Sequence, residues 1–122
     1  MAEKQKITVD FFTVDRSSDE FVMYLVEEGP WGQEALEGRM RQIQGRIYKA
    51  VDVAIDGHLA KAHPESRGSK VKIQVDLHGS PPSAVEALVQ RLADHIAKAE
   101  EYVRDVAASE HIKGLRIVAR QL

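Results

Sequence analysis

The chain contains no cysteine. That absence removes disulfides, thiolate nucleophiles and cysteine-based zinc or iron–sulfur sites together. No charge of one sign dominates either: seventeen basic residues stand against nineteen acidic ones, a formal net charge of -2. So weak a field does not draw a protein toward phosphate backbones or anionic membranes, and neither nucleic acid nor membrane is expected as a partner. No apolar run approaches the roughly 18 residues of a membrane-spanning helix. The N-terminal MAEKQKITVDFF carries charges where a signal peptide would need an apolar core, so the expected address is cytoplasmic. Internal repeats, low-complexity stretches and linkers are also missing, and 122 residues suit one domain, residues 1–122.

Motifs that name a reaction are missing as well. The chain has no G-x-S-x-G elbow, no phosphate-cradling glycine loop, no H-E-x-x-H and no dinucleotide fingerprint. No cofactor is therefore expected, and no residue is singled out as catalytic. The pairs Glu27/Glu28 and Glu100/Glu101 are adjacent in sequence, which points their carboxylates apart in a strand or a helix.

What is there is a clear alternation of strand-like and helix-like patterns. Lys6–Asp15 and Glu20–Glu28 are rich in Val, Phe, Tyr and Ile and flank the polar turn Arg16-Ser17-Ser18-Asp19, which predicts a β-hairpin. Within the second run Phe21 to Val26 is apolar on both alternating faces, as in a central strand. Gly29-Pro30-Trp31-Gly32 breaks that strand and a long amphipathic helix follows from about Gln33. Its stripe is Leu36, Met40, Ile43, Ile47, Val51 and Ala54, and Gly57 is its natural stop. His58 to Ser69 reads as a frayed turn and loop.

Lys70–Leu77 alternates cleanly, Val71, Ile73, Val75 and Leu77 against Lys70, Lys72, Gln74 and Asp76. Ser83 and Glu86 have capping-box spacing, and a second long helix to about Ser109 keeps Val85, Leu88, Val89, Leu92, Ile96, Ala99, Val103 and Val106 on one face. Leu115–Leu122 alternates again. The order ββαβαβ predicts an α+β two-layer sandwich, a four-stranded mixed sheet with two long helices on one face.

The run Leu25-Val26-Glu27-Glu28-Gly29-Pro30-Trp31, followed by Ile43, Ile47 and Tyr48, then Ile55-Asp56-Gly57-His58-Leu59 and His63-Pro64, resembles a family of short bacterial proteins classed as a domain of unknown function. The resemblance covers roughly the first two thirds of the chain. It implies a small stand-alone cytoplasmic bacterial protein and brings no catalytic residue, ligand or partner.

Three places could carry function. Beyond the C-terminal ends of the strands, Glu27, Glu28, Trp31, His78, Ser80 and Arg120 would meet two helix starts. Glu28, Trp31, His78 and Ser80 are thus candidates for a small-molecule or anion site, that of a binding domain or of an enzyme, although a staple, a turn residue and caps would explain the same residues. At the other pole His58, His63 and His111 could gather. A metal site there is weighed against the ordinary preference of polar residues for helix C-termini, with no metal ligand assigned. The third place is the hairpin. If both helices cover one face of the sheet, Phe12, Val14, Val22, Tyr24 and Val26, with Val118 beside them, form an apolar set that wants a cover. Gly38 and Gly45, outward on the first helix, could admit another backbone. The leading expectation is a non-catalytic protein-interaction or self-association module, a homodimer through Phe12, Val22, Tyr24 and Val26 or a complex with an unidentified protein.

Overall fold

A computed structural model describes residues 9–122 of the chain. Strands β1 (Phe11–Asp15) and β2 (Glu20–Glu27) lead into helix α1 (Gln33–Asp56). A short helix α2 (His58–Ala62) and a 3-10 turn (Pro64–Ser66) precede β3 (Ser69–Leu77). Helices α3 (Ser83–Lys98) and α4 (Glu100–Ala108) then lead to β4 (Ile112–Gln121). The four strands form one sheet in the order β1-β2-β3-β4, antiparallel between β1 and β2 and parallel thereafter. This is the expected α+β sandwich with its helices on one face. Residues 6–8 of the expected first strand lie outside the described residues.

The alternation of side chains along each strand sets the two faces. Phe21, Met23 and Leu25 of β2, Val71, Ile73, Val75 and Leu77 of β3, and Ile117 of β4 pack with Ile43, Ile47, Val51 and Ala54 of α1 and with Val85, Leu88, Val89, Leu92 and Ile96 of α3. Leu36 and Met40, the first two members of the α1 stripe, pack half-buried against that core.

Two departures from the sequence pattern have physical causes. The expected second long helix is broken at Ala99, whose extended backbone (ψ 130°) separates α3 from α4. A straight 27-residue helix would be about 40 Å long at 1.5 Å per residue. The nine residues of β3 span only about 30 Å. The break keeps the chain over the sheet, bringing Tyr102 to ring distances of 6.4 Å from Tyr48 and 5.9 Å from His95, while Val103 is left exposed. The capping box is also not formed, because α3 starts on Pro82 as its cap. Glu86 instead accepts a hydrogen bond from Gln121 Nε2 at 2.7 Å.

The segment expected to be a frayed loop after Gly57 contains α2, which buries Leu59 and Ala60. Strand β4 begins earlier than Leu115, at Ile112, through an irregularity opposite Ser69 and Lys70 that takes up Lys113.

Candidate functional site

The pole beyond the C-terminal strand ends is closed by Trp31. Its indole Nε1 donates to the His78 carbonyl oxygen at 2.7 Å, and its ring packs half-buried on the core. Gly29 (φ +87°) and Gly79 (φ +79°) make room for it. A Cβ on Gly29 would lie 2.9 Å from Trp31 Nε1, and one on Gly79 would lie 3.4 Å from the same atom. Ser80, also in the left-handed region (φ 53°), is exposed in the following turn. Trp31, His78 and Ser80 are thus brought together, but as a tight corner. Glu28 has its carbonyl at the Gly79 corner and also lines a hollow of about 570 Å³ beside α1, together with Arg39, Arg46 and Lys49.

Under that hollow lies an ion-pair cluster whose members the sequence pattern did not pair. Arg46 Nη1 donates to Glu27 Oε2 at 2.5 Å and its Nη2 to Asp10 Oδ2 at 2.8 Å, while the Val26 amide donates to the same Asp10 oxygen at 2.7 Å. Partial burial acts to raise the Asp10 carboxyl, yet the amide and the guanidinium outweigh it and hold the group below its ordinary range. The buried Glu27, at the C-terminal end of β2, is therefore held in a structural cluster beneath α1.

The hairpin is placed differently from the sequence expectation. Cross-strand pairing sets Phe11 opposite Tyr24, Phe12 opposite Met23, Thr13 opposite Val22 and Val14 opposite Phe21. Phe12 and Val14 therefore share the helix-covered face, where Phe12 lies 4.1 Å from the His63 ring and 5.8 Å from Phe21. On the open face the partner of Tyr24 is Phe11, stacked at 4.3 Å. Val22 is 0% exposed within the single chain, so it needs no further cover; Tyr24 and Val26 are half-buried. Phe11 at 48% and Val14 at 53% are the exposed apolar residues of β1, one on each face of the sheet edge.

Away from the hairpin the open face carries Val118 opposite Gln74 and otherwise polar side chains, several of them paired with one another. Arg116 reaches from β4 across β3 to Glu20 with two hydrogen bonds of 2.6 and 2.9 Å, and Lys72 lies 3.7 Å from Asp15. Arg116 thereby holds the Glu20 carboxyl down to about 2 against the opposing effect of burial. Asp15 is also lowered to about 2, chiefly by the Ser17 hydroxyl. Beside these, Gln74 Nε2 donates to Asp76 Oδ1 at 2.8 Å.

At the opposite pole the three histidines separate. His63 turns to Phe12, whereas His58 and His111 line one hollow of about 360 Å³ with Asp56, Lys61 and Arg67. Among the described residues no group of three histidine, aspartate or glutamate side chains is placed to hold a metal ion. A larger hollow of about 800 Å³ lies along the outer side of α1, over Gly45 and between Tyr48, Asp52 and Lys61. Burial and the neighbouring Asp56 charge raise the Asp52 carboxyl above its ordinary value. A Cβ added at Gly38 or Gly45 would meet nothing within 4 Å. Among the described residues, no helix is long and apolar enough to cross a membrane.

No family model, curated protein or solved structure matches the chain.

Proposed function

We propose that this chain is a non-catalytic interaction module that self-associates, a second copy adding to the edge of β1 that no strand among the described residues pairs. The observation that carries this reading is the contrast between the two edges of the sheet. Strand β4 carries Lys113, Arg116 and Arg120, the kind of charge that blocks edge-to-edge pairing. Strand β1, Phe-Phe-Thr-Val-Asp, has no lysine, arginine or proline and exposes Phe11 and Val14.

Antiparallel pairing about a two-fold axis at Thr13 suits this strand. It sets Phe12 of each copy against Val14 of the other, Asp15 against Phe11, and Asp10 against Arg16, so no like charges meet. The proposed surface keeps Tyr24 and Val26 as flanking contacts beside Phe11 and transfers the central role from Val22 to Phe11 and Val14. A partner using the Trp31 corner has less support, because the indole and two glycines fill it.

The test is molecular mass by light scattering and sedimentation at micromolar concentration, for the wild type and for Val14→Lys. The expected result is a dimer that Val14→Lys converts to a folded monomer. A wild type that stays monomeric through the high micromolar range overturns the reading.

A further inference from the structure

The hollow at the Gly57 pole gathers basic side chains from two stretches distant in sequence, residues 58–67 and the loop at His111. His58 and Lys61 come from α2, Arg67 from the turn before β3, and His111 from the loop before β4. The one carboxylate among them, Asp56, is already engaged: its Oδ1 lies 2.7 Å from His58 Nδ1 and accepts from the His58 amide at 3.0 Å. That contact fixes the imidazole and leaves its Nε2 as the atom able to meet a ligand.

His111 is fixed as well. Its amide donates to Ser109 Oγ at 3.1 Å, and its carbonyl accepts from the Gly68 amide at 2.8 Å. The Ser109 hydroxyl in turn donates to the Ile55 carbonyl at 3.0 Å, tying this loop to the end of α1. The His111 ring lies so close to Gly57 that a Cβ there would come within 2.7 Å of Nε2, and its Nδ1 is buried without a hydrogen-bond partner. Gly57 (φ +99°) turns the chain between α1 and α2, placing His58 and Lys61 on the same hollow as His111.

We infer that this hollow binds a phosphate-type oxyanion, as the free ion or as the terminal group of a small phosphorylated molecule. Lysine supplies charge and arginine supplies charge with directed N–H donors, the combination that phosphate oxygens accept. A divalent cation would instead meet Lys61 and Arg67 with only one carboxylate to balance them. The inference is independent of the self-association reading, since β1 contributes nothing to this hollow.

The experiment titrates the intact chain with inorganic phosphate, with glycerol phosphate, and with sodium chloride at matched ionic strength. The readout is the amide and imidazole NMR signals of Gly57, His58, Arg67 and His111. The expected result is a saturating shift of these signals in one or both phosphate arms and not in chloride. Tighter binding of the ester would identify a phosphorylated molecule as the source, and equal or tighter binding of the inorganic ion would identify free phosphate.

Because Lys61 and Arg67 are exposed, Lys61→Ala/Arg67→Ala should keep the amide dispersion of the folded chain and weaken binding about tenfold or more. Arg67→Lys should retain part of the affinity. Shifts no larger than those in chloride, or shifts undiminished in the folded double variant, overturn the inference. If that variant proves unfolded, Arg67→Ala alone is read against the same two outcomes.

Discussion

Trp31 and His78, 47 residues apart in the chain, are joined by one hydrogen bond of 2.7 Å from the indole Nε1 to the His78 carbonyl. It ties the exit of β2 to the exit of β3, and the histidine contributes its backbone to the bond. Trp31→Phe should therefore cost about 1–3 kcal/mol by leaving that carbonyl without its donor. His78→Ala should stay within about 0.5 kcal/mol of wild type, as for other surface substitutions away from special features. Urea midpoints of the two variants check the contrast. A large loss in His78→Ala would show that the imidazole itself is structural.

Arg46 and Glu27 set up a second contrast. Glu27 is 4% exposed and its charge is answered from α1, so removing Arg46 alone strands a buried carboxylate. Because Arg46 is itself part-exposed, Arg46→Met should cost about 2–4 kcal/mol, at or below the usual range for breaking a buried pair. Adding Glu27→Gln should recover part of that loss. Denaturant unfolding of the single and double variants measures the coupling, and strict additivity would show that the two side chains do not support one another.

The elements were legible in the sequence wherever an apolar period met a stop signal. The alternation of Val71, Ile73, Val75 and Leu77 and the stripe of Ile43, Ile47, Val51 and Ala54 are both buried as the pattern requires. The break at Ala99 was not legible, because Val85, Leu88, Leu92, Ile96, Ala99 and Val103 keep one helical face straight through it. What decides it is the length of the sheet beneath. The open-face pairs were hidden for a related reason: Glu20 and Arg116, 96 residues apart, meet only once β2, β3 and β4 are known to be adjacent.

The facing of β1 departs from the sequence expectation, which groups Phe12 and Val14 with Val22 and Tyr24, whereas the pairing puts both on the covered side. A turn of Arg16 to Asp19 fixes the pairing at Asp15 and Glu20, from which Phe12 must share the face of Met23. Lys61 and Arg67 carried no signal of their own; they reach one hollow only through the turn at Gly57 and the short helix after it.

Glu20 makes stability sensitive to acid. Its carboxyl falls from an ordinary 4.5 to about 2 in the folded chain, mainly through the Arg116 hydrogen bonds. A carboxyl lowered on folding contributes stability above its unfolded value, and that contribution is lost as pH falls through the folded one. The unfolding midpoint in urea should therefore decline between about pH 4.5 and about pH 2. Arg116→Gln should flatten that decline while lowering stability at neutral pH. An unchanged slope in the variant would show that the Arg116 bonds are not its source.

Gly57 should resist substitution on two independent grounds. Its φ of +99° is one that L side chains rarely adopt, and an added Cβ would press on the His111 ring. Gly57→Ala should lose about 1–3 kcal/mol from backbone strain alone. His111→Ala in the same background should return part of the loss, because only the steric component depends on the ring. Thermal unfolding of the two variants separates the components, and no rescue by His111→Ala would assign the whole effect to the backbone.

Val22 and Phe11 occupy the same face of the hairpin and should answer an added charge in opposite ways. Val22 is 0% exposed between Thr13 and Lys72, and Lys72 is already drawn to Asp15, so Val22→Asp buries a poorly compensated carboxylate inside one chain and should cost several kcal/mol. Phe11 is 48% exposed over Tyr24 at the sheet edge, where a charge stays in water unless a second copy covers it. Phe11→Asp should therefore keep a native far-UV circular dichroism spectrum while the mass falls to that of the monomer. In the proposed register Phe11 would also bring its new charge against Asp15 of the other copy, adding repulsion to the loss of apolar contact. Sedimentation of Phe11→Asp together with Phe11→Lys isolates that last effect, because lysine should dissociate the dimer less than aspartate does. Equal dissociation by both would place the two-fold axis elsewhere on the edge, and no dissociation by either would remove Phe11 from the interface.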